Sequence, residues 1–227
     1  MAVNFKGAHF PQEIILPCVR WYVAYPLSIR HVEELMQERG VFVEHATVNR
    51  WVITYSPQLE EAFHHRKRPA GSSWRMDETY IRIKGEWRYR YRAVDKQGQT
   101  SDVLLTEHRD QEAALRFLQK ASRRHGVPEK STIDGCEANE AAIKRYHEAH
   151  GTTISICQIT YLKNLVEQDH RAVKRVTRPM LGFNSCDAAQ VTRAGIELRP
   201  MLKKQQLMVE AGNAGLTVAQ PFYALPA

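Results

Sequence analysis

The sequence predicts an α/β protein: a mixed five-stranded sheet with flanking helices, preceded by an all-α module. Three observations predict it. Residues 11–63 carry apolar side chains at helical spacing, and residues 64–73 (HHRKRPAGSS) turn basic and then rich in Pro, Gly and Ser. Residues 74–204 alternate strand-like with helix-like segments. Apolar periodicity separates helix from strand, and Pro/Gly/Ser composition marks a linker. The expected organisation is a helical domain over 1–63, a linker over 64–73, an α/β domain over 74–204 and a short tail over 205–227.

Pro11 opens the first helix, in which Ile14, Ile15, Val19, Tyr22 and Val23 recur at helical spacing. Pro17 is expected to kink it. Ser28 caps a second helix with Ile29, Val32, Leu35 and Met36 on one face, and Gly40 stops it. A third begins near His45, with Val48, Trp51, Val52 and Tyr55 as its stripe and Pro57 just beyond its expected end. Two helices joined by a Gly-containing turn read as a helix-turn-helix, although a plain helical hairpin reads the same way. In a helix-turn-helix the second helix enters the major groove. Thr47, Asn49 and Arg50 lie off the apolar stripe and are its candidate base readers, because Asn pairs with adenine and Arg with guanine through two hydrogen bonds each.

The α/β part opens with a strand, WRMDETYIRI, whose alternation puts Asp77, Thr79, Ile81 and Ile83 on one face. WRYRYRAVD follows, with Trp87, Tyr89, Tyr91 and Ala93 one way and Arg88, Arg90 and Arg92 the other. That pattern predicts a half-buried strand with a cationic outer face. TSDVLLT completes an antiparallel meander. A helix over about 111–124, the strand STID ending in Asp134, a helix over about 138–149, the strand TTISICQ and a helix over about 162–176 come next. The order βββαβαβα is that of the RNase H-like fold.

Length and charge narrow the function. The 227 residues carry a formal net charge of +7, which fits a polyanionic partner such as nucleic acid. Cys18, Cys136, Cys157 and Cys186 form no CxxC pair, and the histidines show no zinc-ligand spacing, so neither a zinc site nor a disulfide framework is expected. No signal peptide or membrane-length apolar run is read. The expected location is the cytoplasm, with no membrane partner.

Cleaving a phosphodiester without a covalent enzyme intermediate requires an activated nucleophile and a stabilised leaving oxygen. Two magnesium ions held by clustered carboxylates supply both. Asp77 on the first strand and Asp134 at the end of the fourth belong to strands that neighbour one another in this fold. Glu167 lies on the last helix. The three are the candidate catalytic and metal-binding acids, against the plain alternative of solvated carboxylates. His170, Arg171 and Lys174 follow Glu167 at i+3, i+4 and i+7 and are candidate phosphate contacts. An intrahelical salt bridge from Glu167 to Arg171 is the structural alternative. Nine Lys/Arg against four Asp/Glu between 163 and 204 put most of the excess charge beside these acids.

FKGAHFPQEIIL, WRMDETYIRIKGEWRYRYRAVDKQGQTSDVLL, YLKNLVEQDHRAVKRVTRPMLGFNS and the closing FYALPA resemble the transposases of the insertion-sequence six family, nearly end to end. The resemblance implies an RNase H-like core with catalytic Asp77, Asp134, Glu167 and Lys174, and two Mg2+ ions for which Mn2+ substitutes. It implies binding of double-stranded DNA, both element ends and target, and 3′-hydroxyl strand transfer. It also implies a homodimer or larger synaptic assembly at the bacterial nucleoid. The chain departs from the family pattern at Pro17, at Gly135-Cys136 after the second Asp, and at Lys163-Asn164 before the Glu. A DNA-binding regulator that has lost catalysis is the second reading.

Overall fold

A computed structural model describes residues 3–159, 163–180, 186–208 and 217–226, without the side chains of 163–169, 179, 186 and 187. The chain divides into two compact units, 1–68 with 172–227, and 69–171.

The helical unit is built on α1 (Gln12–Ala24), α2 (Ile29–Gln37) and α3 (His45–Arg66). At the start of α2, Ser28 Oγ accepts from the His31 backbone N–H at 3.1 Å, and the Ser28 N–H donates to His31 Nδ1 at 3.3 Å. That reciprocal pair satisfies two donors at the helix start. Gly40, at φ 74, ends the element in the left-handed region. The α1 helix runs through Pro17.

The third helix is longer than its first stripe predicts. It passes Pro57 and takes in 64–66, which the sequence assigns to the linker. An interior proline costs about 3 kcal/mol. Leu59, Ala62 and Phe63 lie beyond it and are buried in the unit's core. Burial of large apolar side chains, worth about 1.5–3 kcal/mol each, offsets that cost.

Residues that the sequence assigns to the α/β domain and the tail complete this core. Val173 and Val176 from the end of α6 (Lys163–Thr177), and Ile196, Leu198, Met201 and Leu202 from α7 (Cys186–Lys203), pack with α1 and α3. Phe222 on α8 (Ala219–Tyr223) and Leu225 join them. Arg66 donates to the carbonyls of Ala224 and Leu225 at 2.8 and 2.7 Å, and Lys67 bridges to Leu207. These contacts join sequence-distant segments, so local periodicity does not foretell them.

The second unit holds the sheet. Its strands are β1 (Ser73–Ile83), β2 (Glu86–Asp95), β3 (Thr100–Thr106), β4 (Lys130–Ile133) and β5 (Ser155–Gln158), in the order β3-β2-β1-β4-β5. The first three pair antiparallel, while β4 is parallel to β1 and β5 to β4. This is the mixed RNase H-like sheet that the element order predicts. On one face Trp74, Met76, Tyr91 and Ala93 pack with Phe117 and Leu118 of α4 (Gln111–His125) and with Ile143 and Tyr146 of α5 (Glu137–His150). Asp110 caps α4 by accepting from the Ala113 N–H at 2.8 Å.

The Arg face of β2 departs from expectation. Arg90 and Arg92 are 1% and 0% exposed. Alternation shows which residues share a face but not what covers it, and here His170 of α6 lies on that face, 2.8 Å from Arg90.

Gly195 of α7 marks a close helix contact. A Cβ there would stand 2.7 Å from Val23 Cγ1 and 2.8 Å from Ser56 Oγ. Gly195→Ala should lower stability by about 1–2 kcal/mol, because overpacking costs roughly 1–3 kcal/mol and exceeds the helix-propensity gain of about 1 kcal/mol. The urea-unfolding midpoint of the helical unit checks this, and an unchanged or raised midpoint would refute the close approach.

Candidate active site

Asp77 lies in β1 and Asp134 directly follows β4. The parallel register pairs Ser73 with Lys130, Trp74 with Ser131 and Arg75 with Thr132. Two further residues along the same register put Asp134 level with Asp77. Gly135, at φ 82, turns the chain from there into α5. Glycine takes that conformation without steric cost, so the departure from the family pattern at this position suits the turn.

The two neighbouring acids on β1 are held from opposite faces. Asp77 is directly across from Arg92, and Glu78 from Tyr91. His170 Nε2 lies 3.3 Å from Asp77 Oδ2, and His170 Nδ1 lies 2.8 Å from an Arg90 guanidinium nitrogen. On the other face the Glu78 side chain is 4% exposed and ion-paired with Arg109. Arg109 Nε donates to Glu78 Oε1 at 2.6 Å, and Asn139 of α5 donates to Oε2 at 3.0 Å. Arg109 also reaches the Cys136 sulfur at 3.6 Å. One guanidinium thus ties β1 to the turn that follows Asp134.

Negative charge is crowded where β4 ends beside the middle of β1. Asp134 is exposed, yet partial desolvation raises its carboxyl above the usual Asp range, and the negative charges of Glu78 and Asp77 push it further. Backbone N–H groups at Cys136 and Asp134 pull it partly back. Burial also lowers the His170 pKa, and the Arg90 and Arg92 charges add to that against the opposing hydrogen bond to Asp77. The net effect favours the neutral form of His170.

A family model described as a DDE domain, DDE_Tnp_IS240, matches residues 71–206. The transposase for insertion sequence-like element IS431mec of Staphylococcus aureus (strain N315) is 38% identical over 195 residues, covering 85% of this chain and 85% of that protein. The transposase for insertion sequence element IS257 in transposon Tn4003, also from Staphylococcus aureus, matches at the same identity and coverage. The chain belongs to the insertion-sequence six family of DDE transposases. This transposase is a polynucleotidyl transferase. Among solved structures, the HTLV-2 integrase catalytic core domain in complex with magnesium (trimeric form) has a TM-score of 0.48 at 17% identity, over 68% of this chain and 98% of that one.

The residues singled out in the transposase sequence fare differently. Asp77 and Asp134 come together on the neighbouring strands β1 and β4. Glu167 is on α6, three residues before His170, and its side chain lies outside the described residues. Arg171 is exposed and Lys174 half-buried. Asn49 and Arg50 are exposed on α3, and Arg50 donates to Thr47 Oγ1 at 2.9 Å. His170 requires correction as a phosphate contact. It is 5% exposed, with both ring nitrogens engaged by Asp77 and Arg90, so it does not face DNA.

Sequence reasoning missed Glu78, Arg109 and Asn139. Glu78 carried a signal, since alternation puts it on the apolar face of Trp74 and Met76, where a carboxylate needs a partner. Nothing local pointed to Arg109, a loop residue distant in sequence.

Removing Arg109 would leave Glu78 buried beside two other acids. Arg109→Ala should destabilise the sheet unit by roughly 1–3 kcal/mol, the cost of an uncompensated buried polar group. Urea unfolding at neutral pH checks it, and a change below about 0.5 kcal/mol would show that Glu78 needs no guanidinium.

The raised Asp134 pKa fixes a sign for pH dependence. A carboxyl whose folded pKa lies above its unfolded value binds protons more readily in the native state, so stability falls as pH rises through that range. Without divalent ions, Asp134→Asn should raise the melting temperature at pH 7. The difference from wild type should vanish once the pH drops below the ordinary Asp pKa of about 4. Scanning calorimetry in chelator across pH 3–8 measures it, and a lower melting temperature for the variant at pH 7 would contradict the crowding.

Proposed function

We propose that this transposase binds the terminal inverted repeats of its element and catalyses metal-dependent cleavage and 3′-hydroxyl strand transfer into target DNA. The β1–β4 register carries the reading, because it sets Asp77 level with Asp134 on neighbouring strands. Asp77, Asp134 and Glu167 serve as ligands for two divalent cations, Mg2+ with Mn2+ able to substitute. The donor set fits, since these are hard oxygen ligands and magnesium prefers them. The charge crowding that pushes Asp134 upward is the kind a cation relieves. Bound there, such ions would supply activation of the attacking water or 3′-hydroxyl and charge stabilisation at the leaving oxygen.

The chain's own residues supply positioning. Asn49 and Arg50 are exposed off the buried stripe of α3 and read bases in the element ends, with Thr47 holding the Arg50 guanidinium. Arg171 and Lys174 contact phosphates of the bound DNA, and Lys174 takes the catalytic role that the family resemblance implies. Two element ends and one target require two active chains, so the working form is a homodimer or larger synaptic assembly on double-stranded DNA. Among the described residues no helix is long and apolar enough to cross a membrane. The bacterial cytoplasm, at the nucleoid, is the proposed setting.

One pair of variants separates binding from chemistry. Asp77→Asn should lower strand transfer of labelled ends in Mg2+ by at least about 100-fold, while end-DNA affinity stays within about threefold. Arg50→Ala should weaken specific end binding by about 1–3 kcal/mol. Residual strand transfer by Asp77→Asn near the wild-type rate would overturn the enzymatic assignment of the acids. An unchanged preference for ends over random DNA in Arg50→Ala would remove Arg50 from base reading.

A further inference from the structure

The link between α6 and β1 uses chemistry that leaves little freedom. Arg90 is 1% exposed and places a guanidinium nitrogen 2.8 Å from His170 Nδ1. A guanidinium has donors and no acceptor. The Nδ1 facing it must therefore carry the lone pair, because an Nδ1–H would point a proton at a proton. A neutral imidazole with a bare Nδ1 has its proton on Nε2, and Nε2 lies 3.3 Å from Asp77 Oδ2. The direction of both hydrogen bonds follows: Arg90 donates to His170, and His170 donates to Asp77.

We propose that His170 is a positioning residue for Asp77, with Arg90 fixing its tautomer so that Nε2–H holds one carboxylate oxygen and leaves the other for the metal. This rests on the reading of Asp77 as a metal ligand. Unrestrained, an Asp side chain turns about two bonds, and a hydrogen bond to one oxygen fixes which lone pairs remain outward. Partners of this kind behind a ligand typically change metal affinity by about 10–100-fold when removed. The bond also ties α6, and with it the Glu167 backbone one turn earlier, to the strand bearing the first acid. His170 thus serves the site from behind the carboxylate, in place of the phosphate contact its spacing suggests.

The test uses the full chain and Mn2+ as the probe, its free concentration followed by electron paramagnetic resonance. In His170→Gln the side-chain amide reaches the position of Nε2 and keeps a donor for Asp77. In His170→Asn the amide ends at the position of Nδ1, keeping an acceptor for Arg90 but falling short of Asp77. Expected are a Kd within about threefold of wild type for the Gln variant and one raised about 10–100-fold for the Asn variant. All are measured below the melting temperature of each variant. Equal affinities for Asn, Gln and wild type overturn the proposal. Equal weakening in Asn and Gln also does so, since that reports packing and not a donor.

Asp77→Asn separates the two levels of inference. If it binds Mn2+ like wild type, the metal-ligand reading itself fails. If it loses Mn2+ while His170→Asn does not, only the positioning role fails. A measurement on the unmutated chain needs no variant to fold: long-range proton–nitrogen NMR of 15N-histidine protein should show His170 as the Nε2–H tautomer. An Nδ1–H tautomer overturns the proposal.

Discussion

Negative charge gathered where the end of β4 meets the middle of β1 is the constraint around which the catalytic unit is arranged. Asp77 and Glu78 are consecutive on the central strand, and Asp134 is level with them on its neighbour. Like charges this close oppose the fold, and the raised Asp134 pKa registers it. The protein answers with cations of fixed geometry placed behind the acids. Arg109 holds Glu78 from one face, and Arg90 acts on Asp77 through a neutral histidine from the other.

Those two supports differ in a way that suits their positions. Arg109 pairs directly with Glu78 and so neutralises an acid that faces the apolar side of the sheet. Arg90 meets one ring nitrogen of His170 at 2.8 Å, and the other ring nitrogen meets Asp77 at 3.3 Å. A neutral imidazole stands between them, so Asp77 is oriented by a hydrogen bond while keeping its charge for an incoming cation. A direct guanidinium partner would orient the carboxylate equally well but compete with the metal for it.

The helical unit solves a different problem. Its first three helices alone do not enclose the core that Ile15, Val19, Leu59 and Phe63 form. Segments from after α6 complete it, through α7 and through Phe222 and Leu225. Gly195 permits α7 to approach Val23 and Ser56 closely. The candidate recognition surface on α3 therefore depends for its support on residues more than a hundred positions away.

Much was legible in the sequence. Period-two alternation assigned the faces of β1 and β2, apolar periodicity located α4 and α5, and the element order specified the sheet in which β1 and β4 are neighbours. Local chemistry determines these features: alternation and capping act over a few residues. Tertiary structure alone decided the rest. It buried the Arg face of β2, since a strand's pattern cannot say what packs on its second side. It carried α3 past Pro57, because distant apolar burial outweighs a local proline cost. It turned His170 inward and brought Arg109 to Glu78, because hydrogen bonds and ion pairs between sequence-distant groups form only once the chain has closed around them.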